Sequence, residues 1–281
     1  TLVTKEVPVD VNALPDSVRL ICEAGTGFNN INLEDARKRG ITVCNVPAYS
    51  TDAVAQLVMT HVLNFSASVH LQQRRTARGD RSLFHGEPSE PSKSAFEAFG
   101  EVPHFELAGK TIGLVGGTGA IGARTAEMAR AFGMDVLVWS RSARDCARGR
   151  WRAARDLRHL LRESDFVSVH CPLTDDTRGL IDAKALGAMK PSAFLINTAR
   201  GALVNEADLV DALRAETIAG AGLDVTDPEP PELGSPLYDM ENVVLTPHIG
   251  WKRLETRQRL MDAVAANVEA FLAGKPANVV S

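Results

Sequence analysis

Short apolar runs alternate with stretches of helical spacing along most of the 281-residue chain. The runs fall at Leu2–Thr4, Val18–Glu23, Ile41–Asn45, Ile112–Val115, Asp135–Trp139, Phe166–His170, Ala193–Asn197, Ile218–Leu223 and Val243–Leu245. Brief runs of this kind, apolar on both faces and partly β-branched, suit strands of a buried parallel sheet. Helices are expected between them. Asn32 can cap one through Arg39 with Gly40 at its end. Asp182 can cap another that stops at Met189-Lys190-Pro191, and Asn205 one that runs to Glu216. The last covers Leu254–Leu272 and stops at Gly274. Such alternation predicts the α/β class with a doubly wound parallel sheet.

Two stretches break the rhythm. Ser50 or Thr51 can cap a single long helix from Asp52 to about Arg75, with Val54, Leu57, Val58, His61, Val62, Phe65 and Val69 around much of its circumference. So much apolar surface predicts burial by a second domain or subunit. His61 and His70 on it are read as structural. From Gly79 to Pro103 the chain is rich in Gly, Pro and Ser and loses periodicity, which predicts an extended arm or connection.

The run Ile112–Val115 leads into Gly117, Gly119 and Gly122, and Ala120–Phe132 carries helical spacing. Strand, GxGxxG turn and helix in that order form the context of a dinucleotide site. Glycines let the backbone approach a pyrophosphate, and the helix N-terminus meets its charge with unpaired N–H groups. An acid about twenty residues further on would bind the ribose 2′-hydroxyl of NAD. Here Ser140 and Arg141 stand at that place, and Arg141–Arg158 holds seven arginines against two aspartates. Donors in place of an acid favour NADP over NAD.

Net charge of −4 gives no basic field for nucleic acid. Cys22, Cys44, Cys146 and Cys171 lack CxxC spacing or nearby histidines, so neither metal nor disulfide is expected. No run reaches membrane length and no signal peptide opens the sequence; a cytoplasmic location is the expectation.

Arg200, Asp224, Glu229 and His248 lie just beyond successive strands, and in a doubly wound sheet those ends converge on one crevice. A guanidinium binds a carboxylate and polarises a carbonyl, while a His beside a carboxylate exchanges the proton that accompanies hydride transfer. Together they point to a keto-acid reductase. The loop Gly25-Thr26-Gly27 also follows a strand, either as a second ligand locus or as a plain turn.

Several stretches carry a family likeness: GTGFNNIN at Gly25–Asn32, ITVCNVPAYSTDAVAQ at Ile41–Gln56, ELAGKTIGLVG at Glu106–Gly116, HCPLT at His170–Thr174, NTARGALVNE at Asn197–Glu206 and LTPHIGW at Leu245–Trp251. The chain resembles the D-isomer-specific 2-hydroxyacid dehydrogenases, in the glycerate dehydrogenase (hydroxypyruvate/glyoxylate reductase) branch. The resemblance implies a Rossmann nucleotide domain over residues 49–253. It also implies a smaller flavodoxin-like substrate domain from 1–48 plus 254–281. It gives catalytic roles to Arg200, Glu229 and His248, and puts the backbone of Thr26 and Gly27 at the substrate carboxylate. Asp224 is assigned to the nicotinamide carboxamide, with Thr198, Ala199 and Gly250 nearby. Gly117, Gly119, Ala120, Ile121, Gly122, Cys171, Pro172 and Thr177 join the cofactor contacts. A homodimer through the long helix and the arm is implied as well. Other readings left open are a dehydrogenase for D-lactate or 3-phosphoglycerate, and a dinucleotide-sensing corepressor-like binding protein.

Two departures from the family bear on the structure. Its substrate domain begins with a strand–helix unit ahead of Leu2, so a truncated or reduced domain is expected. The glycine turn carries one extra residue, and either Gly116 or Gly117 must bulge. Trp251, three residues after His248, is expected at the start of the last helix, either packing or as an apolar substrate wall lacking a cationic partner.

Overall fold

The computed structural model describes residues 1–79, 103–140 and 151–281. Most of the expected arm, together with Arg141 and Cys146, lies outside them. The chain forms two compact units, Val54–Ile249 and a smaller one made of Thr1–Ala53 with Gly250–Ser281.

The larger unit is built on a seven-stranded parallel sheet. Its strands are β4 (Thr111–Val115), β5 (Asp135–Trp139), β6 (Arg152–Ala153), β7 (Phe166–Val169), β8 (Phe194–Asn197), β9 (Gly220–Leu223) and β10 (Val243–Leu245), in the order β10-β9-β8-β7-β4-β5-β6. Strand order reverses at β4, which pairs with β5 on one side and β7 on the other. Ligand crevices open at such a switch point. All five residues of β4 are buried. Ile112 and Leu114 join one core layer with Val58, Val62 and Phe65, while Val115 joins the opposite layer with Leu160, Leu195 and Leu209.

Two elements escape sequence reading. Strand β6 is two exposed residues long, too short for any period. The helix Leu157–Glu163 begins at the end of the arginine-rich tract, yet Asp156 caps it by accepting from the His159 N–H at 2.7 Å and Leu160 and Leu161 are buried. That helix depends on Gly113, where a Cβ would stand 2.2 Å from Ser164 Oγ.

The expected helix from Asp52 to Arg75 is instead two, α2 (Thr51–Ala67) and α3 (Val69–Ala77). Ser68 between them adopts φ 48° and ψ 36°, and its hydroxyl donates to the Pro103 carbonyl at 2.5 Å. Serine competes for backbone carbonyls in this way and so breaks helices. The apolar stripe also ends at Phe65, stacked 4.5 Å from Phe194, because Val69 is exposed. The helix after Asp182 is shorter than expected, Ala183–Leu186, with Gly187 as its C-cap.

In the smaller unit, β1 (Leu2–Thr4), β2 (Leu20–Glu23) and β3 (Thr42–Cys44) form a parallel sheet in that order. Asn32 caps α1 (Leu33–Lys38) as its side chain accepts from the Glu34 and Asp35 N–H groups. The final helix covers Leu254–Leu272. It is tied to the end of β3 by buried Asn267, which donates to the Asn45 carbonyl at 2.8 Å. Trp251 sits in a turn before that helix, not on it.

Buried histidines give the larger unit an acid limit. The His61 ring lies on Gly222 of β9, where a Cβ would approach it to 2.8 Å. Burial pushes the pKa of His61 down to about 4, and that of His170, beyond β7, likewise to about 4. Both nitrogens Nε2 are buried without a hydrogen-bond partner. The unfolded chain binds these protons near pH 6.5 and the folded chain does not, so stability is full above that pH and is lost below it. Each histidine should cost on the order of 1 kcal/mol per pH unit between about 6.5 and 4. Urea titrations at pH 7.5 and 5.5 should show a lower midpoint at 5.5, and equal midpoints would refute the neutral buried state.

Candidate active site

The glycine turn is shaped by contact. Gly116 takes φ +81°, and a Cβ on it would lie 2.6 Å from the Cys171 backbone nitrogen. Gly116, and not Gly117, takes the positive φ of this turn. Gly117 and Gly122 press together, with 2.5 Å between a Cβ on Gly122 and the Gly117 Cα. This closes the helix Ala120–Ala131 onto β4. Gly119 differs, since a Cβ there would meet only the Gly116 carbonyl oxygen, at 3.8 Å. It caps the helix with no side-chain hydrogen bond, so the amides of Ala120, Ile121 and Gly122 form an uncapped first turn. Such a cradle fits a pyrophosphate.

Ser140 follows β5, and its hydroxyl pairs with that of Thr118 at 3.0 Å. Arg141 lies outside the described residues. Thr177 braces the turn at Cys171 and Pro172, accepting from the Thr174 N–H at 2.8 Å and donating to the Pro172 carbonyl at 2.7 Å. Thr198 Oγ1 is buried with no hydrogen-bond partner, as a group awaiting a ligand would be.

At the end of β8, Asn197 clamps its own loop. Its amide donates to the Arg200 carbonyl at 2.8 Å, and its oxygen accepts from the Ala199 N–H at 3.1 Å. Half-buried Arg200 turns one guanidinium nitrogen to the Ala199 carbonyl at 2.7 Å. A Cβ on Gly201 would stand 2.0 Å from the Thr226 carbonyl carbon, so glycine alone lets this loop and the one after β9 touch. Glu206 also joins them, accepting the Asp227 N–H at 3.3 Å. Its pKa is raised by burial foremost. Glu206 escaped the sequence reading because a carboxylate early in a helix ordinarily passes for dipole compensation.

Asp224 organises the third loop. Its carboxylate accepts from the Thr246 hydroxyl at 2.6 Å and the Ile249 N–H at 2.8 Å, while its carbonyl accepts from the His248 N–H at 3.0 Å. His248 is held at φ +49°, with Nδ1 paired to Glu229 Oε1 at 2.5 Å. A carboxylate on one ring nitrogen fixes the orientation of the other for proton exchange.

In the smaller unit, Gly25-Thr26-Gly27 follows β2. The Gly25 carbonyl accepts from the Val46 N–H at 2.9 Å, and the Thr26 carbonyl from Asn45 Nδ2 at 2.7 Å. Among the described residues the N–H groups of Thr26 and Gly27 have no acceptor. Trp251 belongs to this unit too. The expectation of a wall lacking a cation is corrected, because Lys5 Nζ lies 4.3 Å from the ring centroid. Cys22, Cys44 and Cys171 form no disulfide, and no metal-holding cluster is found among the described residues. No described helix is long and apolar enough to cross a membrane.

Fold and site together define a dinucleotide-dependent oxidoreductase, and the chain belongs to the D-isomer specific 2-hydroxyacid dehydrogenases. Residues 67–250 match that family's NAD binding domain. The chain is 39% identical to a glycerate dehydrogenase of Methylorubrum extorquens, over 95% of its own length and 80% of the relative's. It is also 39% identical to a glyoxylate reductase of Thermococcus litoralis, over 100% of this chain and 82% of that one. Among solved structures, an acyclic imino acid reductase in complex with NADPH and D-Arg superposes with a TM-score of 0.85 at 30% identity, over 99% of this chain and 84% of that one.

Replacing Asp224 by Ala strips the Thr246 hydroxyl and the Ile249 N–H of their acceptor. The expected loss is about 1–3 kcal/mol in unfolding free energy, read by denaturant titration. An unchanged midpoint would deny Asp224 its bracing role.

Proposed function

We propose that this enzyme reduces hydroxypyruvate and glyoxylate to D-glycerate and glycolate, with NADPH preferred over NADH. The observation that carries the reading is the His248–Glu229 pair, held by Asp224 and joined through Gly201 and Glu206 to the Arg200 loop. The two relatives named above act, by their names, on glycerate and glyoxylate, which supports the choice of acids.

The unit from Thr1–Ala53 and Gly250–Ser281 serves as substrate domain in this reading, and two chains pair through the α2–α3 region. Amides of Thr26 and Gly27 hold the substrate carboxylate. Arg200 binds and polarises the 2-keto group, and His248 donates the proton to its oxygen. Glu229 holds the ring as the proton leaves. The uncapped helix at Gly119–Gly122 and the orphan hydroxyl of Thr198 suit a nicotinamide dinucleotide, which supplies the hydride when bound. In this reading Asp224 takes its carboxamide, and Ala199 and Gly250 join the cofactor contacts.

His248→Ala should lower kcat on hydroxypyruvate about a hundredfold to ten-thousandfold, with cofactor affinity nearly intact. NADPH oxidation followed by absorbance, with cofactor binding by fluorescence, reads both. Retention of more than about a third of kcat would remove His248 from the proton-donor role.

An acid after β5 would repel a 2′-phosphate and accept from a free ribose hydroxyl. Ser140→Asp combined with Arg141→Ala should therefore reverse preference toward NADH, seen as a crossover in kcat/KM for the two cofactors. Equal use of both cofactors by the unaltered enzyme would count against NADPH preference.

A further inference from the structure

Lys5 takes no part in the family assignment, yet its position is heavily determined. It follows β1 directly, and the Ala24 N–H donates to the Thr4 carbonyl at 2.7 Å, which keeps the ends of β1 and β2 in step. Lys5 thereby reaches the Gly25-Thr26-Gly27 turn, where a Cβ on Gly25 would lie 3.2 Å from Nζ. The ammonium sits over the Trp251 ring and pairs with Glu6 Oε1 at 2.8 Å. Glu6 is itself constrained. Its φ of +59° is costly for a residue with a side chain, and it aims the Glu6 N–H at Glu23 Oε1, 3.1 Å away. Glu23 is fully buried and is held from the other side by Asn30 Nδ2 at 2.9 Å. A surface lysine needs none of this. Strain, a buried carboxylate and a cation–aromatic contact together hold one ammonium beside the turn.

The charges decide what that ammonium can recognise. Lys5 is already matched by Glu6, so a second anionic group on a substrate would meet a neutralised cation flanked by a carboxylate. An ammonium carries three donors and Glu6 supplies an acceptor, the complement of a hydroxyl group. We infer that Lys5 and Glu6 form the subsite for the C3 hydroxyl of hydroxypyruvate and make this residue pair a determinant of specificity for 3-hydroxy-2-keto acids. The inference rests on the carboxylate-binding role proposed for Thr26 and Gly27. It disfavours a methyl group there, which offers the pair neither a donor nor an acceptor, and a phosphate, which meets the carboxylate.

Hydroxypyruvate and pyruvate differ only by that hydroxyl, so their kcat/KM ratio is the readout. Lys5→Met should lower the ratio by about tenfold or more, through loss on hydroxypyruvate alone. KM for NADPH and the unfolding temperature should not move. Equal losses on both acids, or an unmoved ratio in a folded variant, would overturn the inference and leave Lys5 a packing residue. Should Lys5→Met unfold, Lys5→Gln, which keeps a donor but no charge, is scored by the same ratio. Failure of the unaltered enzyme to turn over hydroxypyruvate, pyruvate or glyoxylate would overturn the proposed function itself, whereas turnover with an unmoved ratio overturns only the role of Lys5.

Discussion

Backbone pressed on backbone at Gly201 and Thr226 is the constraint on which the proposed catalytic loops depend. With any side chain at 201 the loop after β8 would stand off from the loop after β9, and Arg200 would part from the turn that carries Glu229. Around this contact the polar groups act as rivets. Asn197 holds the Arg200 carbonyl, Glu206 holds the Asp227 amide, and Asp224 holds the segment of His248. None of these three is a proton donor or a hydride acceptor in the proposed chemistry. They set the positions of Arg200, Glu229 and His248, which carry that chemistry in the proposal, and small misplacements of a reacting group are costly in rate.

The glycine turn follows the same logic with the opposite purpose. Gly117 and Gly122 are small so that helix and strand can touch, and Gly116 is small so that the Cys171 backbone can come close. Gly119 alone is small toward open space. One motif thus divides its glycines between internal packing and room for a ligand.

Much of this was legible in the residues. The sheet, the caps at Asn32, Asp182 and Asn205, and the strand-end positions of Arg200, Asp224, Glu229 and His248 follow from period and punctuation. What escaped has physical causes. Ser68 breaks a helix through a bond to a carbonyl 35 positions away, which no local pattern reveals. Strand β6 owes its existence to the edge of β5, not to its own two residues. Lys5 and Trp251 lie far apart in sequence, and only the folded small unit brings cation and ring together. Glu206 looks like an ordinary helix-start carboxylate until the Asp227 amide is found on it.

The seating of the His61 ring on Gly222 carries a consequence for how this sequence can drift. A larger residue at 222 has no space while the imidazole is present, and a smaller residue at 61 leaves a hole beneath β9 while 222 remains glycine. Neither change is tolerable first, so the two positions are locked as a pair and can be exchanged only together. Because β9 runs straight into Asp224, that lock shields the base of the His248 segment from gradual substitution.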